Sequence, residues 1–215
     1  VPETMFYNTR LFHTSGITLG LGGNAQKFAI EGIRKFKEQG TLISFDVNYR
    51  ANLWTGEEAR ACIEQILPYV DIFFCSEDTA RLTFGKTGTI EEIQKSFCEE
   101  YPISVVASTE RTVITPKKHN FTSIIYSAKN DSYYREEPYN NIDVVDRIGS
   151  GDAYVSGALY GYLKHKDCRK ALEYGNAMAA IKHSVIGDMI TTDLEEIDSI
   201  IAEHKNTGYH SEMNR

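Results

Sequence analysis

Short apolar runs alternate along the chain with longer stretches in which apolar residues recur every three or four positions. Runs of this kind are typical of buried strands, and the longer periodic stretches are typical of amphipathic helices. The runs lie at residues 11–15, 41–45, 71–75 and 103–107. The predicted helices lie at residues 22–39, 57–67, 77–84, 90–100, 152–164, 169–183 and 193–204. This alternation predicts an α/β fold in which a mostly parallel sheet is covered by helices on both faces.

The same pattern predicts which side chains are buried. The first long helix carries Phe28, Ile33 and Phe36 on one face, and Gly40 follows it as a typical helix terminator. Cys75 lies inside an apolar run, so we expect a core thiol there and not a reactive one.

Residues 112–136 have a different pattern, which is typical of antiparallel strands. Apolar and polar residues alternate at 113–115, 121–126 and 132–134, and turn-forming residues separate these segments at 118–120 and 129–131. The chain has no internal repeat and no low-complexity linker. We therefore expect residues 1–215 to form a single domain.

Composition narrows the class of protein. The 215 residues are 41% hydrophobic and 25% charged, and the formal net charge is −7. A negative chain is a poor candidate for binding nucleic acid or an anionic membrane surface. No apolar run approaches the ~18 residues of a membrane span. Four scattered cysteines without a C-x-x-C pair indicate free thiols, and with them a cytoplasmic protein.

The segment that most clearly indicates chemistry is a glycine-rich turn before a predicted helix. It reads Asp146-Arg-Ile-Gly149-Ser-Gly151-Asp152. Glycines let backbone N–H groups approach a ligand closely, and the N-terminus of a helix favours negative charge. We therefore expect this turn to bind an anion such as a phosphate group.

Asp152 has two interpretations. A carboxylate repels phosphate, so its presence suits a general base that accepts a proton from an attacking hydroxyl while the amides stabilise the transferring group. Alternatively, Asp152 caps the helix, which is a common role for aspartate in a first turn. The residue alone favours neither interpretation.

This turn resembles the C-terminal signature of the PfkB carbohydrate kinases, D-T-x-G-A-G-D, written here as D-R-I-G-S-G-D. The resemblance implies a ribokinase-like three-layer α/β/α fold. It also implies that Gly149, Ser150 and Gly151 form the anion hole and that Asp152 is the catalytic base. Gly149 and Gly151 would contact ATP as well. Arg147 occupies the position of the threonine, and in this respect the turn resembles the branch of the family that phosphorylates 2-keto-3-deoxygluconate.

A second segment follows the strand predicted at 41–45 and contains Asp46, Asn48 and Arg50 before Trp54. It resembles the D-x-N-x-R…W segment of the same family. The resemblance implies that Asp46 and Arg50 bind the sugar, and that Asn48 and Arg50 contact ATP. An arginine fork suits the carboxylate of an acid sugar. A local surface ion pair between Asp46 and Arg50 is the alternative.

The remaining segments depart from the family pattern. Residues 76–79 resemble its N-x-x-E segment, with Ser76 in the position of Asn and Thr79 in that of Glu. The resemblance implies an ATP contact at Ser76 and a Mg²⁺ contact through water at Glu77. Capping of the next helix by Ser76 is the alternative.

Two further segments resemble nucleotide-binding parts of the family. Residues 108–113 align with a loop near the phosphates, which implies ATP contacts at Ser108, Thr109 and Arg111. Asn176 lies in a segment similar to the adenine-side helix, although helix packing explains it equally well. His183 is expected to be a surface or helix-capping histidine.

The resemblance runs from Phe12 to Asp188, and it begins inside the family fold. It implies that the N-terminal strands, the lid and part of the sugar pocket would precede Val1. The implied activity is phosphorylation of an acid sugar with Mg²⁺ and ATP, by a protein that forms a homo-oligomer when complete. Two alternatives stay open: a PfkB kinase for another sugar or nucleoside, and a non-catalytic binding or assembly module.

Overall fold

The structure is a computed structural model that describes residues 3–206. Its helices are α1 Glu3–Tyr7, α2 Gly16–Gly20, α3 Gly23–Glu38, α4 Gly56–Ile63, α5 Glu77–Phe84, α6 Ile90–Glu100, α7 Ser150–His165, α8 Cys168–His183 and α9 Leu194–Lys205, with a 3₁₀ turn at Leu67–Tyr69. Its strands are β1 Leu11–Ser15, β2 Leu42–Asp46, β3 Ile72–Phe74, β4 Val105–Thr115, β5 Lys118–Ser127, β6 Ser132–Arg135 and β7 Tyr139–Asp143. None of the helices in this part of the chain is both long enough and apolar enough to cross a bilayer.

The strands follow the order β1-β2-β3-β4-β5-β6, and β7 pairs with β5. Residue contacts divide the described chain into two compact units. The first contains the residues up to Thr109 together with Ile125–Tyr133, and the second contains Glu110–Ile124 together with the residues from Tyr134 onward. Strands β4 and β5 each pass from one unit into the other. The prediction of a single domain stays a prediction.

The first unit holds the parallel part of the sheet. Strands β1, β2 and β3 pair in parallel, and β3 pairs with the start of β4 in the same way. Its core is a continuous cluster of apolar side chains in which Phe45, Phe73 and Phe97 are almost fully buried. Because the strands are parallel, their carboxyl ends meet at one edge, where Ser15 is level with Asp46 and Asp46 with Phe74. Ligands of such sheets bind beyond that edge.

Local sequence explains where several helices of the first unit begin and end. Thr55 and Glu58 form a reciprocal capping box at the start of α4, and Thr89 and Glu92 do the same for α6. At the end of α5, Gly85 adopts the left-handed conformation that commonly terminates helices. These helices begin within a residue of their predicted starts, but α4 ends at Ile63, four residues before the predicted end.

The second unit combines an antiparallel strand pair with helices α7, α8 and α9. Strand β7 pairs with β5 in antiparallel register, with Lys118 opposite Asp143. Tyr174 and Ala177 of α8 pack with Ile197 and Ile201 of α9 in a small buried cluster. Helix α7 carries the glycine-rich turn at its N-terminus, and its Tyr160 packs against this cluster.

Three predictions of local structure are wrong. Residues 118–120 are not a turn, because β5 begins at Lys118. Phe28 is 58% exposed, whereas Ile33 and Phe36 of the same helix are buried. Residues 108–113 are not a loop, because β4 runs without a break from Val105 to Thr115. Residues 111–115 of this strand are exposed, and a strand with an exposed face needs no continuous apolar run.

Candidate active site

The glycine turn, residues 146–152, leads directly into α7. Gly149 is the N-cap and has φ = 78°, a left-handed conformation that glycine adopts at little cost. A Cβ on Gly149 would overlap the backbone of Asp188, whereas a Cβ on Gly151 would meet nothing within 4 Å. Only the first glycine is therefore required by the fold of the turn itself.

This contrast gives a stability prediction. Gly149→Ala will lower the free energy of unfolding by about 1–3 kcal/mol, because the turn must either hold a strained residue or move away from Asp188. Gly151→Ala is the matched control, and alanine in a first helical turn should leave stability unchanged or slightly raised. Urea unfolding of both variants measures the difference. Equal stability of the two variants would contradict this account of the turn.

Two of the first four amides of α7 have no acceptor among the described residues. The N–H of Ser150 donates to Arg147, and the N–H of Ala153 donates to Gly149. Within residues 3–206, the N–H groups of Gly151 and Asp152 donate to no protein atom. Unsatisfied donors at the N-terminus of a 16-residue helix form a ready anion-binding position.

Asp152 is exposed beside these donors, at the third position of α7. In the described part of the chain, its carboxylate takes part in no hydrogen bond or ion pair. The capping interpretation therefore has no supporting hydrogen bond in the structure. An exposed carboxylate without protein partners is chemically available to a hydroxyl group of a ligand.

Asp146 shapes the other end of the glycine turn. Its Oδ1 accepts a hydrogen bond from the N–H of Ile148 at 2.9 Å, and its Oδ2 accepts one from the N–H of Gly187 at 3.1 Å. The donation from Ile148 is the main reason why the pKa of the Asp146 carboxyl lies below its usual value. Asp146 is thus an ionised structural residue that ties the turn to residues 184–188, a segment we name the return loop.

Two arginines of the second unit lie close enough to repel each other. Arg111 is on the exposed half of β4, and Arg147 is in the glycine turn. The pKa of Arg111 is lowered, first by partial burial and then by the charge of Arg147. Neither guanidinium pairs with a carboxylate within the described residues. Neighbouring cations of this kind favour an anion, and residue 111 was among the predicted ATP contacts.

In the first unit, the segment after β2 presents Arg50 to solvent. Asp46 Oδ1 accepts from the N–H of Asn48 at 3.1 Å, and Asn48 has a positive φ of 38°. The guanidinium of Arg50 donates to the carbonyl of Tyr49. It forms no ion pair with Asp46, so the predicted alternative of a local pair between these two described residues is wrong. The hydroxyl of Tyr49 donates to the carbonyl of Trp54 and closes the segment.

Residues 76–81 are occupied by helix capping and an ion pair. Ser76 Oγ accepts from the N–H of Thr79 and caps α5, which confirms the capping alternative. Glu77 pairs with Arg81 one turn later. The metal contact of Glu77 through water therefore stays a prediction.

The described residues hold no cluster of three or more His, Cys, Asp or Glu side chains arranged for a metal ion. Mg²⁺ in phosphoryl-transfer sites commonly binds through one or two carboxylates, several waters and the phosphates themselves.

Two residues predicted to contact ATP have internal side chains. Ser108 is 3% exposed, donates to the carbonyl of Cys75 and accepts from Gln94. Asn176 has no exposed surface, because its amide bonds Ser123 and Glu136. These contacts explain both residues by packing, whereas Thr109 is half-buried and Arg111 exposed.

Cys75 and His183 were also assigned from sequence. The core thiol at Cys75 is confirmed: the residue is buried, and burial raises the pKa of its thiol. The surface prediction for His183 is wrong, since its ring is fully buried and its Nδ1 lies 2.6 Å from the carbonyl oxygen of Ala179. Lys182, beside it, is equally buried and was not singled out from the sequence.

Comparison with known proteins agrees with this geometry. Residues 3–194 match the model of the pfkB family of carbohydrate kinases. The chain belongs to this family. The 2-dehydro-3-deoxygalactonokinase of Haloferax volcanii is 30% identical over 190 residues, which are 88% of this chain and 56% of that protein.

Solved structures confirm the ribokinase-like α/β fold. The 2-dehydro-3-deoxygluconokinase of Thermotoga maritima has a TM-score of 0.87 at 28% identity, over 93% of this chain and 62% of that one. A ribokinase II from E. coli in complex with ATP and Mg²⁺ has a TM-score of 0.76 at 26% identity, over 95% and 62%. The chain thus spans little more than half the length of the curated relatives that it matches.

Proposed function

We propose that the protein transfers the γ-phosphoryl group of ATP to a hydroxyl group of 2-keto-3-deoxygluconate or a closely similar sugar acid. The observation that carries the proposal is the exposed Asp152 carboxylate beside the acceptor-free amides of Gly151 and Asp152. Membership of the carbohydrate kinase family supports the reaction type.

In the proposed reaction, Asp152 accepts the proton of the attacking sugar hydroxyl. The sugar oxygen forms a bond to the γ-phosphorus as the bond from that phosphorus to the bridging oxygen of ADP breaks. Negative charge on the transferring group is stabilised by the N–H groups at the start of α7. Most of the rate enhancement of such reactions comes from this positioning and electrostatic stabilisation.

The proposed ATP contacts are those predicted residues that present accessible groups. Gly149 and Gly151 approach the phosphates through the backbone, and Arg111 and Thr109 contact them through side chains. Arg147 adds positive charge near Arg111. Mg²⁺ enters with ATP and neutralises phosphate charge. Asn48 and Ser76 are also proposed ATP contacts, because they lie just after the carboxyl ends of strands β2 and β3.

Arg50 is the proposed partner of the sugar carboxylate, with Asp46 fixing the segment and contacting the sugar. The planar fork of an arginine accepts a carboxylate in two parallel hydrogen bonds. The names of the relatives from Haloferax and Thermotoga denote 2-keto-3-deoxy sugar acids as substrates, which supports an acid over a neutral sugar.

A substrate panel tests the proposal. Protein from the complete reading frame is assayed for ADP release with 2-keto-3-deoxygluconate, 2-keto-3-deoxygalactonate, fructose, ribose and adenosine. We expect turnover with the two acids at kcat/KM values at least tenfold above the neutral compounds. Turnover limited to a neutral compound would indicate another kinase of the family. Absence of turnover on the whole panel would favour a binding or assembly module.

The cellular setting follows from the same proposal. The four cysteines, Cys62, Cys75, Cys98 and Cys168, are free thiols, which suits a reducing compartment. A cytoplasmic location and a homo-oligomeric state of the complete protein stay predictions.

A further inference from the structure

Lys182, near the end of α8, is a fully buried cation. Its side chain has no exposed surface. Its Nζ donates to the carbonyl of Asp146 at 3.1 Å and to the carbonyl of Val185 at 2.9 Å. A charged group this deep is costly unless hydrogen bonds compensate for lost hydration, so the two carbonyls are necessary partners.

The two carbonyls belong to different segments. Asp146 begins the glycine turn, and Val185 lies in the return loop. The Lys182 ammonium therefore bridges the two, and its charge is a minor contribution to the lowered pKa of the Asp146 carboxyl, after the hydrogen bond from Ile148.

Three other contacts join the same two segments to each other and to α8. Asp146 Oδ2 accepts from the N–H of Gly187, and Gly149 packs directly against Asp188. The carbonyl of His183 accepts from the N–H groups of Val145 and Asp146. Asp146, at the start of the glycine turn, is thus held through both its N–H and its carbonyl group.

We propose that Lys182 is a positioning residue for the proposed phosphoryl transfer, on which this inference rests. Its ammonium fixes the Asp146 carbonyl and so orients the peptide groups that lead to Gly149. Those peptide groups set the direction of the acceptor-free N–H groups at Gly151 and Asp152. Displacement by about 1 Å is enough to cost on the order of 10²-fold in rate in a preorganised site.

The bridging role has a chemical signature. Lys182→Ala removes three methylene groups and the ammonium, which leaves two carbonyl oxygens facing a cavity without a donor, and buried acceptors without donors are unfavourable. Ammonium ion supplies the same charge and N–H groups and should enter that cavity. Tetramethylammonium has the same charge but no N–H group, so it should have no effect.

The test compares kcat and KM of the wild type, Lys182→Ala and a control, Lys170→Met, in protein from the complete reading frame. Lys170 lies on the same helix and pairs with Glu173, which Lys205 also contacts. We expect Lys182→Ala to lose about 10–100-fold in kcat with little change in the KM of the sugar. If the loss is about 100-fold, ammonium chloride should raise kcat of the variant by about tenfold or more. The control should keep wild-type kcat and show no response to ammonium.

The inference would be overturned by wild-type kcat in Lys182→Ala, or by a loss that ammonium and tetramethylammonium change equally. If Lys182→Ala does not fold, Lys182→Met replaces it, because methionine fills similar volume without charge. Unchanged kcat in the methionine variant overturns the inference, and failure of both variants to fold assigns Lys182 to folding alone. An inactive wild type would instead defeat the proposed function.

Discussion

Asp152→Asn will lower kcat by about 10²–10⁴-fold while ATP continues to bind, because asparagine cannot accept the proton of the attacking hydroxyl. The change keeps the size of the side chain and leaves the backbone donors of α7 in place. Since the Asp152 carboxylate has no partner within residues 3–206, no internal hydrogen bond is lost. Stability should therefore stay within about 0.5 kcal/mol of the wild type.

Three measurements decide the result for Asp152. They are single-turnover phosphorylation rates, ATP affinity by calorimetry and urea unfolding. Asp143→Asn is the control, because it neutralises another exposed carboxylate of the second unit, which lies on β7 and pairs with Lys118. Near wild-type turnover of Asp152→Asn would show that Asp152 is not the base. The same conclusion would follow if its loss of turnover were explained by a loss of folded protein.

The sequence predicted the glycine turn because every part of it is local. Two glycines and an aspartate before an amphipathic helix indicate backbone donors at a helix N-terminus without knowledge of the rest of the fold. The structure adds that Gly149, and not Gly151, is the position where a side chain cannot fit. That distinction depends on Asp188, which lies 39 positions further along the chain, and no local pattern contains it.

The wrong predictions for β4 and Phe28 both come from the way hydrophobic periodicity was interpreted. Hydrophobic periodicity reports burial, and it reports secondary structure only where the two coincide. Residues 109–112 of β4 are polar and half-buried or exposed, so no apolar pattern marks this part of the strand. Phe28 has the opposite problem, because it continues the apolar face of α3 yet remains 58% exposed.

Lys182 shows why part of the candidate site lay beyond the reach of the sequence. A lysine near a helix end is usually a solvated residue that interacts with the last carbonyls of its helix. Here the ammonium is enclosed by the glycine turn and the return loop, and its acceptor Asp146 lies 36 positions earlier in the chain. Ser108 and Asn176 are the reverse case, since polar residues predicted to face a nucleotide are satisfied inside the protein.

Arg50 will discriminate between acid and neutral sugars. Arg50→Ala should lower kcat/KM for 2-keto-3-deoxygluconate by about 10–100-fold, which corresponds to the roughly 1.5–3 kcal/mol of a charge-assisted hydrogen bond. The guanidinium is exposed, and its protein acceptor is the adjacent carbonyl of Tyr49, so a carboxylate can take its place at low cost. Arg50→Lys should recover only part of the loss, because an ammonium lacks the planar fork.

The control for Arg50 is Arg60→Ala, which removes an exposed arginine of the same unit that pairs with Glu64 on α4. It should leave kcat/KM unchanged for every substrate. The decisive comparison is the ratio of kcat/KM for the acid to kcat/KM for fructose, measured in each variant at one ATP concentration. If Arg50 binds the carboxylate, this ratio falls in Arg50→Ala, because fructose has no carboxylate to lose. A loss of equal size for both sugars would instead assign Arg50 to ATP, since the nucleotide is the ligand common to both reactions.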